Sequence, residues 1–218
     1  MKLICTITFL AIAVLSSCND NKFDNKKKPL EMSETRKEKS AVSAEAGIDH
    51  IGINVPDIDS ATVFLSRAFG AKVIYESHSK NEAPIDLSGV ESTLNVASGT
   101  KIFAVRMIKI GNGPNIELFE VHAEGQRNAI KSSDIGLQHF AIYSDSISVS
   151  IERFVEAGGK ILSKPNPMLF PEEKGDHNYF VYGLTPWGTS VEFLTYPDKM
   201  PYENQTKLRR WKGGKTDK

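Results

Sequence analysis

An α+β domain built from two tandem copies of one strand–helix–hairpin module is what this sequence predicts, on three observations. His50 and His139 stand at the same phase of two similar stretches 89 residues apart. Each stretch runs into a helical apolar pattern that stops at glycine in the same register, Gly70 in one copy and Gly158-Gly159 in the other. Each copy then closes with two apolar strands around a turn, and a lone glutamate interrupts the outgoing strand, Glu117 first and Glu192 second.

The chain begins with what reads as an export signal over residues 1–18. Lys2 supplies the positive start, and Leu3 to Leu15 is a 13-residue apolar run. A membrane span needs about 20 apolar residues and a signal core about 7–15, so the run fits the signal. Leu15-Ser16-Ser17-Cys18 resembles the bacterial lipobox, which makes Cys18 the expected lipidated first residue of a protein tethered in the bacterial cell envelope, periplasmic or at the cell surface. The alternative is a plain secretory signal with an incidental cysteine. Cys5 lies inside the apolar run and would be removed, so no internal disulfide is expected. Residues 19–46 are rich in Lys, Asn, Glu and Ser without an apolar period and read as a disordered polar tether. As a random coil it would reach on the order of 30 Å.

The domain itself is expected over 47–196, with module one at 47–122 and module two at 135–196. In Asp49 to Val55, apolar Ile51, Ile53 and Val55 alternate with His50, Gly52 and Asn54, which is a strand with its histidine turned away from the apolar row. Phe140 and Ile142 alternate with His139 in the same way. Ala61, Phe64, Leu65 and Ala68 give the first helix its apolar face, and Ile147, Ile151, Phe154 and Val155 give the second. The hairpins follow: strands 101–110 and 115–121 around Gly111-Asn112-Gly113-Pro114, then 178–184 and 189–195 around Thr185-Pro186-Trp187-Gly188. From histidine to glutamate the copies span 67 and 53 residues, so module one carries 14 extra residues, expected within 76–100. The tail 197–218 has Pro197, Pro201, Tyr202, Leu208 and Trp211, and is expected to wrap back over the domain or to end loosely.

Lys+Arg and Asp+Glu both number 27 in 218 residues, and this zero net charge argues against a nucleic-acid partner. Lys26-Lys27-Lys28 and Arg209-Arg210 are local exceptions that read as solvated tail residues.

A glutamate in the apolar interior of a strand needs a cation or several donors, because a carboxylate is almost never buried alone. The stretches Asp49-His50-Ile51-Gly52-Ile53-Asn54-Val55-Pro56-Asp57, Asn115-Ile116-Glu117-Leu118-Phe119-Glu120, Leu137-Gln138-His139-Phe140-Ala141-Ile142 and Pro186-Trp187-Gly188-Thr189-Ser190-Val191-Glu192-Phe193 together resemble the vicinal oxygen chelate superfamily of glyoxalase I, methylmalonyl-CoA epimerase, extradiol dioxygenases and bleomycin-resistance proteins. The resemblance covers about 48–196. It implies two βαβββ modules forming a cupped mixed sheet, in which His50, Glu117, His139 and Glu192 converge on one divalent metal ion, Zn, Ni, Co, Mn or Fe. The alternative is a degenerate site that keeps the residues without the metal. Glu120 rivals Glu117 but lies three residues on, facing the other side of the strand.

For chemistry, the resemblance favours metal-assisted isomerisation, epimerisation or lysis beside the carbonyl of a small molecule, with Glu117 or Glu192 as base. An extradiol-type dioxygenase would need only His50, His139 and Glu192, and the fourth ligand Glu117 counts against it. A binding protein without turnover would need no tetrad. Export counts against glutathione or CoA substrates, which are mainly cytosolic. Asn54, Tyr143, Arg106, Tyr179 and Tyr182 are candidate substrate contacts, with His177 nearby in sequence. Against this, Arg106 also fits a snorkelling edge arginine and the tyrosines fit ordinary packing. His78 and His122 carry no expected role. The relatives pair their modules within a chain or across a dimer, so a homodimer is a possible partner state.

Overall fold

The computed structural model describes residues 46–213. The export signal, Cys18 and nearly all of the tether lie outside the described residues. Module one contains β1 (His50–Val55), α1 (Ile58–Phe69), β2 (Lys72–His78), β3 (Ile85–Asp86), α2 (Glu91–Leu94), β4 (Lys101–Lys109) and β5 (Asn115–His122). Module two contains β6 (Phe140–Tyr143), α3 (Ile147–Glu156), β7 (Lys160–Ile161), β8 (Asn166–Pro167), β9 (Tyr179–Leu184) and β10 (Ser190–Thr195).

The two sheets repeat one topology. Module one is ordered β1-β5-β4-β2 with β3 added on β4, and module two β6-β10-β9-β7 with β8 added on β9. In each, the first strand runs parallel to the last, and the other pairs are antiparallel. The parallel pairing places the histidine strand directly beside the glutamate strand. Extra length in module one falls between β2 and β4, where it was expected, and includes the short helix α2, whereas β3 has its counterpart in β8. His139 sits one residue before β6 rather than inside it, a shift that leaves its face unchanged.

Helix α1 is well specified by its ends. The Asp57 carboxylate accepts a hydrogen bond from the Ser60 amide at 2.7 Å, and Gly70 closes the helix in the left-handed region. Apolar positions Ile58, Ala61, Phe64, Leu65 and Ala68 make the buried face. That face does not stop at its own sheet. Phe64 and Phe69 meet Phe154 of α3 with ring centroids 5.4 and 5.7 Å apart, and Phe154 meets Phe193 of β10 at 5.0 Å. One hydrophobic core therefore serves both modules on their helical side. Aromatic pairs of this kind contribute roughly 0.5–1.5 kcal/mol each beyond the area they bury.

Phe154 is seated against backbone. A Cβ on Gly183 would stand 2.7 Å from its ring and 3.2 Å from the Lys160 carbonyl, so β9 passes the ring only as glycine.

The tail wraps back. Met168, Leu194, Tyr196 and Met200 form a second cluster with Tyr143, Phe180 and Tyr202. Tyr196 donates its hydroxyl to the Trp211 carbonyl, Arg210 pairs with Glu173 at 2.8 Å, and the Trp211 indole lies against Gly113 in the β4–β5 turn. No helix among the described residues is long and apolar enough to cross a membrane.

Candidate active site

Strand alternation decides which side chains can meet. Ile53 and Val55 of β1 are buried toward α1, so His50, Gly52 and Asn54 take the opposite face. In the parallel register Gly52 lies beside Glu117 and His50 beside Asn115. His50 Nε2 is 3.3 Å from Glu117 Oε2, and its Nδ1 is 2.8 Å from Asp49 Oδ2. The hydrogen bond to Asp49, with the Glu117 charge beyond it, raises the His50 pKa above its ordinary value despite some desolvation.

Module two repeats the arrangement. Glu192 lies beside Ala141, and His139 Nε2 is 3.2 Å from Glu192 Oε2. Gln138 takes the place of Asp49, with Oε1 2.9 Å from His139 Nδ1. In both modules the residue just before the histidine fixes the ring by its far nitrogen. That signal was present in the sequence as Asp49-His50 and Gln138-His139, and its role becomes visible only with the distances.

The rows next to the two glutamates differ. Met107 of β4 stands opposite Glu117, whereas Tyr182 of β9 stands opposite Glu192. The Tyr182 ring meets His139 edge-on at 5.2 Å, and burial together with the Glu192 carboxylate pushes its phenol up to about 12. Tyr182 is thus a neutral hydrogen-bond donor at any ordinary pH.

Two imidazoles and two carboxylates are a suitable donor set for a divalent ion. The N–O spacing within each pair also suits one edge of a coordination shell, about 3 Å for ligands bonded at about 2.1 Å. The pairs nevertheless stand apart, and no group of three or more His, Cys, Asp or Glu side chains is placed to hold a metal ion among the described residues. Each half-site fits a metal edge; the complete shell is not assembled here.

Between the modules, a cavity of about 730 Å³ follows the seam from Gly52–Val55 of β1 and the adjoining Pro56 to His139 and Phe140. Its outer wall is the inter-module segment Gln126–Ile130, which sequence reasoning missed because it has neither periodicity nor a motif. Asn54, an expected substrate contact, lines it. Tyr143 shares the face of His139 but lies under the tail, its ring 4.6 Å from Tyr196.

Three other expectations are corrected. Arg106 pairs across β4–β5 with Leu118 and so faces α1, where it binds Asp59 at 3.0 Å, Thr62 at 2.8 Å and Glu76. Its charge is spent there, away from Glu117. Tyr179 shares the face of buried Val181 and thus points opposite to Tyr182. His177 is engaged with Asp198 at 3.1 Å. Glu120 takes the α1 side, as its spacing required: it is buried, accepts the Ile58 amide at 2.9 Å and lies 3.4 Å from Lys80. It neutralises the positive end of the helix.

The duplicated sheets, each bearing a histidine–glutamate pair, agree with a family model described as the Glyoxalase/Bleomycin resistance protein/Dioxygenase superfamily, which matches residues 49–180. The chain belongs to that superfamily. Among superfamily relatives, the 2-epi-5-epi-valiolone epimerase of an Actinomyces species is 29% identical over 171 residues, covering 77% of this chain and 89% of that protein. A glyoxalase family protein from Bacillus cereus superposes with a TM-score of 0.53 at 12% identity, over 71% of this chain and 97% of the other. A glyoxylase/bleomycin resistance protein/dioxygenase domain from a Frankia species gives 0.50 at 14% identity, over 73% and 98%. The structural likenesses establish the superfamily fold, which alone does not fix a reaction.

Proposed function

We propose that this protein is an isomerase that inverts a stereocentre next to the carbonyl of a small molecule. The observation that carries it is the carboxylate–imidazole pair in each half, at 3.3 Å for Glu117 with His50 and 3.2 Å for Glu192 with His139. Epimerisation beside a carbonyl removes one proton and returns one to the same carbon. A carboxylate can accept the first and a second acid can deliver the other, and duplicated halves supply one of each. His50 and His139 orient the carboxylates, and Asp49 and Gln138 orient the histidines. Each histidine–glutamate pair, His50 with Glu117 and His139 with Glu192, would offer one edge of a divalent ion's shell, and an ion bound there would supply Lewis-acid stabilisation of the negative charge that develops on the carbonyl oxygen, worth several kcal/mol. Similarity to an epimerase across 89% of that protein supports the same class.

The test is exchange of the α-hydrogen of a cyclic polyhydroxylated ketone in heavy water, followed by NMR. Glu117→Gln and Glu192→Gln are each expected to slow it by about 100-fold or more. Exchange that proceeds undiminished in the double variant would sink the reaction class.

The export segment and Cys18 support a place in the cell envelope, with a lipid anchor on that cysteine. Cys18→Ala is expected to shift the protein from the membrane fraction to the soluble fraction in its bacterial host, and an unchanged distribution would refute the anchor.

A further inference from the structure

We propose that the seam cavity between β1 and β6 recognises an uncharged, polyhydroxylated cyclic carbonyl compound, and that the inter-module linker is its specificity-determining wall. This rests on the carbonyl chemistry proposed above and adds the substrate class. At about 730 Å³ the cavity falls in the about 300–1,000 Å³ range of small-molecule sites. Polar walls converge on it from four segments: Asn54 on β1, Gln126 and Asn128 on the linker, Gln138 before β6, and Thr189 with Ser190 at the start of β10.

The chemistry of that wall is informative. Amides and hydroxyls both donate and accept, which matches a ring bearing many hydroxyls. Carboxylates and phosphates are bound by clustered cations or bidentate arginine, and among the described residues Arg127 is the only lysine or arginine lining the cavity. Much of the hydrogen-bonding capacity is unspent. Among the described residues the Asn54 and Asn128 side chains have no protein partner, and the Trp187 indole N–H, also at the cavity, is buried without one. Gln138 is already committed to the Ser132 carbonyl and His139. Gln126 donates to the Val121 carbonyl at 2.9 Å, which anchors the linker and leaves its own amide oxygen available. His139 lines the same cavity, so a ring held by this wall lies beside the histidine whose Nε2 is 3.2 Å from Glu192.

The measurement is calorimetric binding of scyllo-inosose, a cyclohexanone with five hydroxyls, against cyclohexanone and glucose 6-phosphate. Inosose is expected to bind, with cyclohexanone weaker by about 100-fold or more because unpaired polar groups penalise the bare ring. The Gln126→Ala, Asn128→Ala double variant is expected to weaken inosose at least about 10-fold. Its melting temperature should move by no more than the loss of the one exposed hydrogen bond from Gln126 to Val121 allows, since both side chains are exposed. Arg127→Ala should change little. Tighter binding of the phosphate, equal binding of cyclohexanone, or a linker variant that binds like wild type would overturn the proposal. Inosose binding without α-hydrogen exchange would keep this site and sink the reaction class. Exchange on simple ketones, indifferent to the linker, would do the reverse.

Discussion

Asp57 shows how much one side chain can carry at the start of α1. Lys80 and the Ser60 amide hold its carboxyl well below the ordinary carboxylate range, Lys80 being the larger cause. A group whose folded pKa is depressed contributes stability above its unfolded value, near 3.8, and loses that contribution as the pH falls toward the folded value. Asp57→Asn keeps an amide able to cap α1 but removes the charge. Its melting temperature should therefore fall less than that of wild type between pH 5 and pH 2, and equal losses would refute the coupling. The same scale shows what was legible in advance. His50, Glu117, His139 and Glu192 could be placed on matching faces by counting residues. Arg106 and Tyr179 could have been excluded by the same count, since Arg106 shares a face with Ala104 and Ile108, both fully buried, and Tyr179 with Val181. The partners that neutralise Arg106, Asp59 and Glu76, come from other elements, and no local pattern reveals them.

At the level of elements, the first and last strand of each module become neighbours because a helical crossover carries the chain from the first strand to the far side of the sheet and two antiparallel strands bring it back. The periodicity announced α1, α3 and both hairpins. It did not announce β3, α2, β7 or β8, which are two to four residues long and owe their conformation to the strands beside them. The linker was illegible for a related reason: it is shaped by the cavity it covers. Strand β9 offers the sharpest test of packing. Gly183→Ala places a methyl group against Phe154, Ile161 and the Lys160 carbonyl. Overpacking of this kind costs about 1–3 kcal/mol, measurable as a lower urea midpoint. Phe154→Leu alone should also destabilise, but in that background the added alanine should cost less, because the ring it strikes is gone. Simple additivity of the two changes would show that the ring is not the obstacle.

The two modules are held together on their helical side. Phe64 and Phe69 from module one and Phe154, Trp187 and Phe193 from module two share one core, while the two sheets remain separate hydrogen-bonded units. Urea unfolding should therefore be a single transition by circular dichroism and by Trp187 fluorescence in a Trp211→Phe background. Two resolved steps would mean that the copies are held together more weakly than each is held by itself. That common interior also limits how such a protein can be re-engineered. A copy excised and spliced into a foreign chain would leave the aromatic rings of its helix in water, so any transplant must bring along, or rebuild, the surface that its sibling provides.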